Sequence, residues 1–137
     1  AKAIAFSHLV TAYIKEFIGV LSPVCGCSIA AGSGASAAIT WLLGGNDLQI
    51  AGAIKNMIGN LTGMICDGAK YDCAFKIATS ASEAIISAKL AVNKKYITEC
   101  NGIVNPDVET TIANLSSICI DGMQELDNQI INVMSKC

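Results

Sequence analysis

Charge is what this sequence has least of. Charged side chains make up 15% of 137 residues, and the formal balance is −2. No basic patch or stripe emerges, which argues against nucleic acid as a partner. Aromatics are equally sparse at 5%, and there are only two prolines, Pro23 and Pro106. Between Phe17 and Asn46 no side chain carries a charge. That length would suffice to cross a bilayer. However, Ser22, Pro23 and the Gly26/Ser28 region interrupt it, its later part is Ala/Gly/Ser-rich rather than Leu/Ile-rich, and no Lys cluster flanks it. A buried central helix is the better account, and a small-residue membrane module the weaker one. No stretch sustains two-residue alternation, so no sheet is expected.

What the chain does have is small residues and cysteine. Gly, Ala and Ser crowd the first 90 positions, and there are seven cysteines. An odd thiol count, no signal peptide and a chain large enough to bury a core all speak against a disulfide scaffold. Reduced thiols in a cytoplasmic setting fit better. The chain begins Ala-Lys-Ala-Ile, inside an amphipathic run, as the later part of a longer polypeptide would.

Helical spacing runs through the whole chain, with five to seven helices expected around the Gly/Ala-rich one in a single all-α domain over 1–137. Ala3 to Ile18 offers Ile4, Leu9, Val10, Tyr13, Ile14, Phe17 and Ile18 as a buried face, with His8 beside it as a structural imidazole. Cys25 to Leu43 is the uncharged helix, closed by Gly44-Gly45-Asn46, with Asp47 to cap the next. Leu48 to Met64 follows, then a helix from about Asp72 to Val92 with Phe75, Ile77, Ala81, Ile85, Ala88 and Leu90 inward. Asn93 to Asn105 reads as a connector. Asn105 and Pro106 open a helix that bends near Asp121-Gly122 and continues through Leu126 and Ile130 to the end.

Two stretches carry chemistry. Cys66-Asp67-Gly68-Ala69-Lys70-Tyr71-Asp72-Cys73 sets two thiols, carboxylates and a lysine around a turn between helices. Cys25-Gly26-Cys27 places a second pair at the mouth of the uncharged helix. Soft thiolates at helix ends suit an iron–sulfur cluster, or a closed zinc site built from Cys25, Cys27, Cys66 and Cys73. Asp67 and Lys70 stand near enough in sequence to orient a substrate, and equally near enough simply to cap the turn. Cys100 and Cys119 read as small core residues, and Cys137 as a terminal thiol.

Ser-Pro-Val-Cys-Gly-Cys-Ser-Ile-Ala-Ala-Gly (22–32), Leu-Leu-Gly-Gly (42–45), Gly-Met-Ile-Cys-Asp-Gly-Ala-Lys-Tyr-Asp-Cys-Ala-Phe-Lys (63–76) and Gly-Met-Gln-Glu-Leu-Asp (122–127) closely resemble the L-cysteine desulfidase family. That family is related to the alpha domain of iron–sulfur L-serine dehydratases. The resemblance implies the C-terminal portion of a longer protein, with the preceding part of the same protein as its partner; a homodimer is one expectation for the assembly. It also implies a 4Fe–4S cluster and β-elimination from a small amino acid, giving pyruvate, ammonia and hydrogen sulfide from L-cysteine. Cys66 and Cys73 match two cluster thiolates, and the third lies in Cys25-Gly26-Cys27, with Cys25 favoured. In the serine dehydratases the third ligand stands further ahead of the small-residue helix, so the spacing here sides with the desulfidase branch.

Overall fold

The computed structural model describes residues 1–136; the terminal thiol Cys137 lies outside the described residues. Among the described residues six α-helices follow one another: α1 (Lys2–Ile18), α2 (Gly26–Leu42), α3 (Asp47–Leu61), α4 (Cys73–Val92), α5 (Val108–Ser117) and α6 (Leu126–Met134). A single π-helical turn, Ile118–Gly122, separates the last two. Among the described residues there is no strand, only two isolated bridges, Val24 with Ile65 and Asn101 with Val104. The all-α reading holds.

Helix α2 is the centre. It packs on α1, α3 and α4 at once, and it can because it has almost no side-chain bulk. Gly32 faces Ser80 and Met57 so closely that a Cβ there would overlap both. Gly34 meets the Ser7 carbonyl and the Thr11 hydroxyl of α1 in the same way. The core therefore mixes Ile14, Ile29, Met57, Ile58 and Leu115 with fully buried Ser28, Ser33, Ser36 and Thr40. Thr40 returns its hydroxyl proton to the Ser36 carbonyl, the usual way a helix satisfies such a group internally. No helix among the described residues is long and apolar enough to cross a membrane.

Three local expectations are corrected. Asn46, not Asp47, caps α3: its side chain accepts from the Gln49 amide while Gln49 accepts from the Asn46 amide, a closed capping box. Helix α5 starts at Val108 under Asp107, whose carboxylate accepts from the Thr110 amide at 2.8 Å; Asn105 and Pro106 belong to the approach. The third concerns α4. Its inward face is Ser80, Ala84, Ser87, Ala88 and Ala91, whereas Phe75 (77% exposed), Ile77, Ile85 and Leu90 face outward. Close contact with small-residue α2 selects the small face of its neighbour, and bulk is turned away. For the same reason only Ile14 and Ile18 of α1 are fully buried, while Ile4 and Leu9 stand in solvent.

Candidate metal centre

The loop after α1 and the loop after α3 meet edge to edge. Val24 and Ile65 pair as an antiparallel bridge. The Cys25 amide donates to the Met64 carbonyl, and the Cys66 amide to the Pro23 carbonyl, each at 2.7 Å. Cys25 and Cys66, far apart in sequence, are thus held diagonally across one backbone bridge, Cys25 opposite Met64 and Cys66 opposite Pro23. This is also why α3 stops at Leu61: Met64 to Cys66 must extend in order to pair.

Cys25 is the N-cap of α2, is 6% exposed, and its carbonyl accepts the first helical bonds, from Ser28 and Ile29. The Ser28 hydroxyl lies 3.5 Å from the Cys25 Sγ and 3.3 Å from the Lys76 carbonyl, with one proton to offer them. Ser80 donates to the Ser28 carbonyl at 2.9 Å and ties α4 to the same end of α2. Cys73 is the first residue of α4, with its Sγ 3.4 Å from the Gly68 carbonyl. Cys27 is exposed. All six described cysteines are free thiols. Cys119 is buried, as expected, and burial pushes its thiol up. Cys100 is not: it is exposed, near the Asn105 side chain, which corrects its reading as a core residue.

Around the thiols the charges are ordered. Asp67 accepts from Lys70 and, at 2.5 Å, from Lys76; Lys70 also stands 3.6 Å from Asp72. The two ammonium groups, Lys70 foremost, hold the Asp67 carboxyl down to about 2. Lys76 additionally donates to the Ile65 carbonyl at 3.0 Å. Lys15, from the last turn of α1, donates to the Val20 carbonyl at 2.6 Å in the loop leading to Cys25.

Beside this corner lies a cavity of about 350 Å³ walled by Ser22, Cys66, Asp67 and Gly68 on one side and by Asp127, Ile130, Ile131 and Met134 on the other. A second, of about 470 Å³, shares Asp67, Ile130 and Met134 and adds Lys70 and Gln129. A larger apolar hollow of about 520 Å³ between α1, α3 and α5 is lined by no thiol.

Of the residues singled out in sequence, the fold brings Cys25, Cys66, Asp67, Lys70 and Cys73 to one end of the bundle, with Cys27 turned to solvent. Sequence reasoning missed Ser28 and Lys76. The signal for Lys76 was present: it lies one helical turn after Cys73, on the same side of α4. Among the described residues no three His, Cys, Asp or Glu side chains crowd together as a single metal ion would require. A multi-iron cage holds its thiolates further apart than one zinc ion does. Free thiols at the N-termini of two helices, where negative charge is favoured, are donors of the kind an iron–sulfur cluster takes.

Fold and site together define an all-helical, thiol-bearing domain with a charged turn at its cysteine-rich end. A family model described as "Serine dehydratase alpha chain" matches residues 1–132, and the chain belongs to that family. It is 52% identical over 135 residues to a UPF0597 protein of Clostridium botulinum (strain Okra / Type B1), covering 98% of this chain and 31% of that one. With a UPF0597 protein of Alkaliphilus metalliredigens (strain QYMF) it shares 54% identity over 136 residues, 99% of this chain and 30% of the relative. The chain spans about a third of the length of the curated relatives it matches. No solved structure matches it.

Proposed function

We propose that this chain is the cluster-holding part of an iron–sulfur lyase that eliminates the β-substituent of a small amino acid, L-cysteine first and L-serine second. The observation that carries the reading is the Val24–Ile65 bridge, which holds the segments of Cys25 and Cys66 together, the two cysteines diagonal across it, at the end of the bundle where α4 begins with Cys73. Family membership supports the lyase class.

Cys25, Cys66 and Cys73 would hold a 4Fe–4S cluster; Cys25 is preferred over Cys27 because it is buried and its amide is bonded to Met64 next to the bridge, whereas Cys27 is exposed. Such a cluster, with three protein thiolates, supplies Lewis acidity at its remaining iron. The chain's own residues do the rest of what this portion contributes. Asp67 and Lys70 line the adjoining cavities and present charge to a zwitterionic substrate. Ile130 and Met134 of α6 wall the same space and limit water. Asp67 is a poor base at neutral pH, because a general base works best with its pKa near the working pH. The group that removes the α-proton therefore comes from the part of the longer protein outside this chain. Reduced thiols match a cytoplasmic location.

A structural zinc domain is the less favoured reading, since four thiols would have to converge and Cys27 points to solvent. The test is release of sulfide and pyruvate from L-cysteine by the anaerobically reconstituted full-length protein, with L-serine in parallel. Activity on either supports the lyase; zinc-loaded, colourless and inactive protein supports the alternative.

A further inference from the structure

The turn between Cys66 and Cys73 is held weakly by its own backbone. Apart from the Cys66 amide on Pro23, backbone bonds within 66–73 stay local, as from Cys73 to Lys70. Tyr71 is fully exposed and Gly68 has a φ of 93°. Left to this, the segment would drift against α4, and the spacing of the two thiols with it.

Side chains supply what the backbone does not. The Asp67–Lys70 pair joins two residues of the same turn, so it stiffens the turn without attaching it to anything. Lys76 is different. It sits in the first turn of α4, three residues after Cys73, and its side chain is only 18% exposed. Its ammonium donates to the Ile65 carbonyl at 3.0 Å and to the Asp67 carboxylate at 2.5 Å. Those two acceptors flank Cys66 on either side. We propose that Lys76 is the positioning residue of this corner, clasping the segment around Cys66 onto α4 and so setting Cys66 against Cys73 before any cluster is bound. The clasp stands on the geometry alone; its purpose rests on the proposed function above.

A charge-assisted pair of bonds from a largely buried ammonium holds better than an exposed ion pair. Lys70, 44% exposed, is the internal comparison. The experiment uses the full-length protein with Lys76→Met, Lys76→Arg and Lys70→Met. In metal-free protein, alkylation of Cys66 by iodoacetamide is followed by mass spectrometry against exposed Cys100. Iron per chain after anaerobic reconstitution and the melting temperature are measured on the same samples.

Lys76→Met is expected to speed Cys66 alkylation roughly five- to tenfold, the scale of losing a charge-assisted tie. It should also lower iron retention at an unchanged melting temperature. Lys70→Met should alter alkylation less than about twofold, and Lys76→Arg, which keeps the donors, should restore most of the protection. Should Lys76→Met fail to fold, Asp67→Asn, which cuts the carboxylate half of the clasp together with the Lys70 pair, is read against Lys70→Met, which cuts the Lys70 pair alone, and faster Cys66 alkylation in Asp67→Asn than in Lys70→Met is the expected result. Lys76→Met behaving like Lys70→Met, or iron loss that merely follows a drop in melting temperature, overturns the proposal. Wild-type protein that takes up no iron contradicts the lyase reading instead, and the alkylation rates still decide the clasp.

Discussion

The amide of Cys25 and the carbonyl of Met64 form a 2.7 Å hydrogen bond across a bridge between two loops, and the Cys66 amide returns one to Pro23. This short extended pairing in an otherwise helical chain does two things. It stops α3 early, and it brings the leading thiol of α2 next to the turn that opens α4. The thiol corner is therefore built by backbone first and by side-chain charge second.

The charge on Asp67 gives a pH signature. Lys70 and Lys76 depress its folded pKa from 3.8 to about 2. A depressed carboxyl contributes stability that is present above its unfolded value and is lost as pH falls through the folded one. The difference in stability between wild type and Asp67→Asn should be constant above about pH 5, shrink below about pH 4 and be lost as the pH falls through about 2. Acid unfolding followed by circular dichroism measures this; a difference that does not change with pH contradicts it.

At Gly34 α1 lies so near α2 that the Ser7 carbonyl stands in the way of any Cβ. Because the obstacle is backbone, neither helix can yield cheaply. Gly34→Ala should cost about 2–3 kcal/mol, even though alanine is the better helix former. Denaturant titration would show it, and a neutral or stabilising result would mean that the helices are further apart than described.

Thiol exposure ranks the cysteines. Cys27 and Cys100 are exposed, Cys66 and Cys73 half-buried, Cys25 and Cys119 buried. Limited alkylation of metal-free, folded protein should modify Cys27 and Cys100 first and Cys119 last. Early modification of Cys119 would contradict the packing of the π-helical turn against the core.

Ser28 offers its hydroxyl proton to Cys25 Sγ or to the Lys76 carbonyl. Hydrogen bonds to ligand sulfur are among the features that set a cluster's potential. Ser28→Ala in the reconstituted protein should lower that potential with iron content retained, because the donor is lost and the thiolate stays. Redox titration followed by electron paramagnetic resonance reads this, and an unchanged potential would assign the hydroxyl to Lys76 alone.

Much of the fold was legible in the residues. Helical spacing and the absence of alternation gave the class, and Gly44-Gly45 and the Pro106 region marked breaks within a residue or two. The orientation of α4 was not legible. Periodicity assigns large apolar residues inward, as for Phe75 and Ile85, but α2 is so small that Ser80, Ala84 and Ser87 fit better against it. The gathering of Cys25, Cys66 and Cys73 at one end came from the resemblance and from thiols flanking polar turns. The device that joins Cys25 to Cys66 was invisible, because a single-residue bridge leaves no periodic trace. Lys76 was less legible than Asp67 and Lys70, which share one turn, because its reach back to Asp67 and Ile65 depends on how α4 docks.

The central claim is that Cys25, Cys66 and Cys73 serve one cluster. The most direct measurement is iron and acid-labile sulfide per chain in anaerobically reconstituted full-length protein, wild type beside single serine variants at 25, 27, 66 and 73. The account predicts a brown wild type and a brown Cys27→Ser, with iron and sulfide in equal amounts, and loss of both in the other three. Retention of the full iron content by any one of Cys25→Ser, Cys66→Ser and Cys73→Ser would contradict it.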